Sequence, residues 1–358
     1  MKKIFSYSLI LYVLFFLTAN LHSCTTFCIK DENNIVFGKN FDFVCGYGLV
    51  VINKRNVIKT AYIGEPEKPF SWTAKYGSIT FNQIGKEFPY GGMNEAGLVI
   101  EQMWLEESQY PKLDGRYGLS ELQWIQYQLD KSATVDEIIA SDSVVRISFT
   151  SQAPLHFLVC DKYGTLATIE YIKGKMVYHR GKDLPFPALA NSSYEESIEF
   201  LQELKRSNFN NNISYRTNSL DRFAKTAMMV SDHHNKNMDN IIDYSFSILK
   251  AVSQGESTYW SIVYDIKNTR IFYKTYQNKK IRAISLSDFN FNCQLPVLII
   301  DIEKNIKSGV NDFTEYNIEL NGELLEKVFN SVSFLKNIPE ATRIQMNQYT
   351  ETVKCAEY

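Results

Sequence analysis

The chain carries almost no excess charge of either sign. Its 38 Lys and Arg face 40 Asp and Glu, a formal net charge of −2, so no global basic field invites nucleic acid. Cysteines are sparse and irregularly spaced, at Cys24, Cys28, Cys45, Cys160, Cys293 and Cys355. No CxxC pair or Cys/His cluster has zinc spacing, and six cysteines in 358 residues make no disulfide scaffold. Beyond the leader, no run is long and apolar enough to span a bilayer. Internal repeats and low-complexity linkers are missing too, so nothing divides residues 24–358 into separate domains. The adjacent His233 and His234 lie in a polar stretch and read as a solvated loop.

What is present is globular. Apolar residues make up 45%, enough for a sizeable core. The first 23 residues read as a signal peptide. Lys2 and Lys3 form a positive start, Leu9 to Leu17 an apolar run, and Asn20, His22 and Ser23 a polar exit. The mature protein is therefore expected to be exported, periplasmic or secreted, with no stable membrane insertion after cleavage.

Past the leader, Thr25 to Lys30, Ile35 to Phe41, Leu49 to Ile52 and Val57 to Ile63 read as strands. Tyr90 to Met93 and Leu98 to Trp104 predict a hairpin around Asn94-Glu95-Ala96-Gly97, with Gly97 supplying a positive φ. Ser120 caps a predicted helix from Glu121, and Thr134 with Glu137 forms a capping box. Strands return from Leu155 to His179. Helices follow at Glu195 to Leu204, Leu220 to Val230 and Met238 to Val252, then a hairpin at Tyr259 to Tyr276. Strands, helices, strands, helices, strands is the order of two antiparallel sheets covered by helices, an α+β class.

The leader stops immediately before Cys24. A cysteine there can become residue one, and its own α-amine, with a pKa of about 8, can serve as base for its thiol. Leu21-His22-Ser23-Cys24 also resembles a lipoprotein signal, in which acylation of that amine would remove the base. Position alone leaves catalysis and lipidation equally open.

Downstream residues separate the two. Cys24-Thr25-Thr26-Phe27, Phe37-Gly38-Lys39-Asn40-Phe41-Asp42, Gly92-Met93-Asn94-Glu95-Ala96-Gly97-Leu98, Leu189-Ala190-Asn191-Ser192 and Asp221-Arg222-Phe223 occur in one order. In that order they resemble the choloylglycine hydrolase family, which contains conjugated bile salt hydrolases and penicillin V acylases. The resemblance implies a four-layer αββα N-terminal nucleophile hydrolase sandwich and hydrolysis of a small N-acyl amide, with no cofactor or metal and with a homotetramer as a possible assembly. It also implies roles: Cys24 as nucleophile, Asp42 holding the terminal amine, Asn191 as oxyanion donor, Arg222 as site arginine.

Two positions depart from the family pattern. Lys39 stands where arginine is usual, keeping charge and losing the planar fork. Trp104 stands where bile salt hydrolases carry asparagine, at a position whose backbone N–H serves the oxyanion. Val44, Tyr47, Phe70, Trp72 and Trp104 are the candidate walls of an apolar acyl pocket. The competing reading is a lipid-anchored binding protein with an inactive hydrolase fold.

Overall fold

The computed structural model describes residues 23–206, 218–233 and 240–356. The leader reading up to His22, and His234, lie outside the described residues.

Two antiparallel sheets stack face to face. In spatial order the first has Ala188–Leu189, Thr25–Lys30, Ile35–Asp42, Thr258–Asp265, Arg270–Thr275 and Arg282–Ser285. The second has nine strands: Lys175–Arg180, Leu166–Ile172, Leu155–Cys160, Val99–Trp104, Gly91–Asn94, Ser78–Asn82, Leu49–Asn53, Leu298–Asp301 and Thr314–Glu315. Helices Ser219–His233 and Ile241–Ala251 pack on the outer face of the first sheet, and helix Glu121–Lys131 packs on the outer face of the second. This is the four-layer αββα sandwich.

The central strand Ile35–Asp42 is buried along its whole length because it has a layer on each face. Alternation then sorts its side chains. Asn40 donates to Leu249 O at 2.7 Å in the helix layer, while Lys39 donates to Gln102 O in the facing sheet. The Asn94 hairpin forms as predicted. Asn94 Oδ1 accepts from Ala96 N and Leu98 N, and Gly97 takes φ +84°. The Thr134–Glu137 capping box and the Ser120 cap are both present.

The solvated-loop reading of His233 does not hold. It ends the helix Ser219–His233, is buried, and contacts Asp31 Oδ2 at 3.2 Å. Helices Ile318–Ser331 and Glu340–Tyr349 complete the chain, and a Cys293–Cys355 disulfide ties down its end.

Candidate active site

Cys24 lies just before the first strand of the six-stranded sheet and is 4% exposed. Its Sγ donates to Asp42 O at 3.8 Å. Asp42 closes the neighbouring strand. One carboxylate oxygen accepts from Thr258 Oγ1; the other, Oδ2, is buried with no hydrogen-bond partner. Burial raises the Asp42 carboxyl to about 7, against the pull of Thr258, Arg222 and Lys39. Burial also pushes the Cys24 thiol up, with Lys39 and Arg222 pulling against it and the Asp42 charge adding to it. The thiol is thus protonated at neutral pH and needs a base to react.

Arg222 joins the first strand to the segment before helix Tyr194–Arg206. Its Nε donates to Thr25 Oγ1 at 3.1 Å, and its Nη2 to Asn191 Oδ1 at 2.7 Å and to Cys24 O at 3.4 Å. A guanidinium only donates, so it fixes the Asn191 amide with Oδ1 toward itself. Nδ2 then points the other way and donates to Trp104 O at 2.8 Å. Asn191 is not a helix cap: Ser193 takes that place, its Oγ accepting from Glu196 N at 3.3 Å. Arg222 is buried, not solvated.

The orientation of Trp104 follows from the ladder. Leu105 N donates to Pro154 O, so Leu105 faces the strand Leu155–Cys160 with its hydrogen-bonding edge. By alternation, the N–H and C=O of Trp104 face the opposite side. That is the side from which Asn191 Nδ2 arrives.

The turn carrying Asn191 is held by His156 and Glu170. His156, fully buried, reaches Ala190 O through Nε2 at 2.8 Å and Glu170 Oε1 through Nδ1 at 3.1 Å. The same Glu170 oxygen accepts from Tyr194 N at 3.0 Å. One buried pair therefore grips the chain on both sides of Asn191. A second pair lies between the sheets, where Lys39 Nζ sits 3.9 Å from Glu101 Oε2 and Tyr264 donates to Oε1.

A largely apolar pocket opens onto Cys24 and Asp42. Trp104 lines it, with its ring 6.2 Å from that of Phe334. Val44, Tyr47, Phe70 and Trp72 do not line it. Val44 packs on the main core, and Tyr47 is 47% exposed. Phe70 and Trp72 turn beneath helix Glu121–Lys131 against Tyr127, with Trp72 Nε1 donating to Asp130 at 2.8 Å. The small sheet Val57–Thr60/Ser71–Thr73 directs them there. The walls instead come from Phe41, Phe43, Tyr90, Leu122, Leu155 and Leu335, among others. Phe41 and Phe43 flank Asp42 and had a local signal; Leu335 had none. Among the described residues, no group of three or more His, Cys, Asp or Glu could hold a metal ion, and no helix is long and apolar enough to cross a membrane.

Residues 24–299 match the family of linear amide C-N hydrolases described as the choloylglycine hydrolase family. A penicillin V acylase of Pectobacterium atrosepticum is 29% identical over 268 residues, 64% of this chain and 71% of that protein. A bile salt hydrolase/transferase of Lactiplantibacillus plantarum is 24% identical over 306 residues, 74% of this chain and 92% of that protein. Among solved structures, penicillin V acylase from Agrobacterium tumefaciens superposes with a TM-score of 0.69 at 25% identity, over 82% of this chain and 98% of that one. A mutant conjugated bile acid hydrolase from Clostridium perfringens gives 0.64 at 16% identity, over 82% and 96%, a likeness of fold.

Proposed function

Because this chain belongs to the choloylglycine hydrolase family of linear amide C–N hydrolases, we propose that Cys24, exposed as residue one, is its nucleophile. The observation that carries this reading is the unpartnered Oδ2 of buried Asp42. With Ser23 still attached, the Cys24 nitrogen is an uncharged amide that cannot serve as a base. Release of the leader makes an ammonium there, which supplies Oδ2 with a donor and, once neutral, the thiol with a base.

The steps balance. The α-amine takes the thiol proton while sulfur bonds to the substrate carbonyl carbon. Asn191 Nδ2 and the Trp104 N–H stabilise the oxyanion, each such donor being worth about 100- to 1000-fold in rate. The C–N bond breaks as the ammonium returns its proton to the leaving amine. Water then attacks the thioester, the amine takes its proton, and the thiol is regenerated as the acid leaves. Arg222 keeps the Asn191 amide turned outward, and Lys39 contributes positive charge behind the sulfur. The substrate is a small N-acyl amide of the bile salt, penicillin V or fatty acyl kind, met by an exported enzyme.

N-terminal sequencing of active protein tests the processing, with a free Cys24 expected. A diacylglyceryl cysteine, or full turnover in Cys24→Ala, would sink the mechanism and favour the anchored, inactive alternative.

A further inference from the structure

Two free thiols meet across the gap between the sheets. Cys28 belongs to the strand Thr25–Lys30 of the first sheet, and Cys160 closes the strand Leu155–Cys160 of the second. Their Sγ atoms lie 3.8 Å apart, and both residues are buried in the main core. We infer that this pair is a second disulfide site, oxidised as the chain folds, which bonds the strand that follows Cys24 to the strand that carries His156. The inference stands apart from the chemistry proposed at Cys24.

Three observations carry it. The first is distance. The sulfurs are already in contact, and their 3.8 Å has to shorten only to about 2.0 Å for a bond. The second is that the chain is drawn together beside the pair. Lys30 Nζ donates to Tyr163 O at 2.9 Å and to Gly164 O at 3.4 Å, in the turn that follows Cys160. Gly164 holds φ +73° and has no side chain to keep Lys30 out; a Cβ there would stand 2.7 Å from Lys30 Cδ. The third is that another pair is bonded. The Cys293–Cys355 disulfide requires an oxidant that acts on this chain, and the same oxidant serves a second pair that folding brings into contact.

Atoms and electrons balance. The oxidant is a disulfide of the thiol-exchange class, RSSR. One cysteine loses its proton to solvent and its sulfur attacks RSSR, releasing one thiolate and leaving a mixed disulfide. The other cysteine, likewise deprotonated, displaces the second thiolate, and the two leaving groups take up the two protons. Two S–H bonds become one S–S bond, and RSSR becomes two RSH. Timing follows from burial. In the finished fold the Cys160 thiol is pushed well above its ordinary range by its hydrogen bond with Cys28 and by burial, and it has no exposed surface for an oxidant to reach. The exchange therefore belongs to the closing chain, before the sheets pack. Cys28 lies four residues beyond Cys24, and Cys160 four beyond His156. Positions four apart along an extended chain share a face. The bond thus sets the spacing between the nucleophile's strand and the strand whose His156 holds Ala190 O beside Asn191.

The test is disulfide mapping of the full chain after folding in a mixture of oxidised and reduced glutathione. The protein is unfolded without reductant, its free thiols are alkylated, and the digest is read by mass spectrometry. A linked Cys28–Cys160 peptide is expected beside the Cys293–Cys355 one, with alkylation confined to Cys24 and Cys45. Alkylated Cys28 and Cys160 in protein whose Cys293–Cys355 bond has formed overturn the inference, because that bond reports that the oxidant acted. A Cys24–Cys28 link overturns it as well. Stability gives a second reading. In the Cys293→Ser, Cys355→Ser double variant, reductant should lower the urea midpoint by on the order of 1 M, since the bond joins residues 132 positions apart. Adding Cys28→Ala should remove that response. A midpoint in the double variant that ignores reductant rejects the bond.

Discussion

Glu101 offers a quantitative test of the charge layout behind Cys24. Its carboxyl is buried between the sheets, and burial raises it to about 7 from an ordinary 4.5, outweighing the pull of Lys39 and the Tyr264 hydrogen bond. Lys39 is a weak partner because its ammonium lies 3.9 Å away and donates instead to Gln102 O. The sign follows from linkage. In the unfolded chain Glu101 loses its proton near 4.5; in the folded protein it keeps the proton until about 7. Between those values the folded state binds more protons, so folding stability falls as pH rises. Each pH unit costs about 1.4 kcal/mol, which sums to about 3 kcal/mol across the window. Glu101→Gln removes this titration. The partner lost to Lys39 adds only an offset common to the whole range. Urea denaturation of both proteins from about pH 4 to about pH 8 should therefore show the variant gaining about 3 kcal/mol relative to wild type. A stability difference constant with pH would refute the argument. The variant should also alkylate faster at Cys24 above pH 7, because the ionised Glu101 that opposes Lys39 is gone.

Two further perturbations probe what holds the site in place. His156→Gln loosens the grip on Ala190 and Tyr194; kcat should fall about 10- to 100-fold with KM nearly unchanged and Cys24 alkylation preserved, since only an oxyanion donor is displaced. An unchanged kcat would leave His156 a packing residue. Cys293→Ser with Cys355→Ser opens a loop whose ends are 62 residues apart, lowering stability by up to about 4 kcal/mol in urea melts; a melt insensitive to reductant would contradict it.

Much of the frame was legible because it rests on local chemistry. Thr25–Lys30 and Ile35–Asp42 are β-formers around a turn, and Thr134, Glu137 and Gly97 carry their own capping and turn signals. Resemblance brought Cys24, Asp42, Asn191 and Arg222 together on paper, from 18 to 198 residues apart; the fold brings them around one sulfur. The pocket walls were illegible. Phe70 and Trp72 look like any cavity aromatics, yet a three-residue strand, Ser71–Thr73, turns them under helix Glu121–Lys131 against Tyr127. Phe334 and Leu335 sit in a turn after Ile318–Ser331 with no local pattern linking them to a cysteine far earlier in the chain, and His156 shows its value only through the carbonyl it meets.

The strand Lys354–Cys355 pairs with Val57 and Ile58, and Tyr349 bonds to Thr60, 289 residues earlier. For a ribosome, this means that the region around Val57 to Thr60 cannot close until the chain has been made past Tyr349 and Cys355. A nascent chain that stops short of Tyr349 leaves Tyr62 and Phe88 without the ring that packs on them. Such long-range closure slows folding, and the half-made chain is a client for whatever keeps it from aggregating. A chain broken off before Tyr349 does not lose a mere tail; it is a protein in which Thr60 and the strand Val57–Thr60 were never fastened.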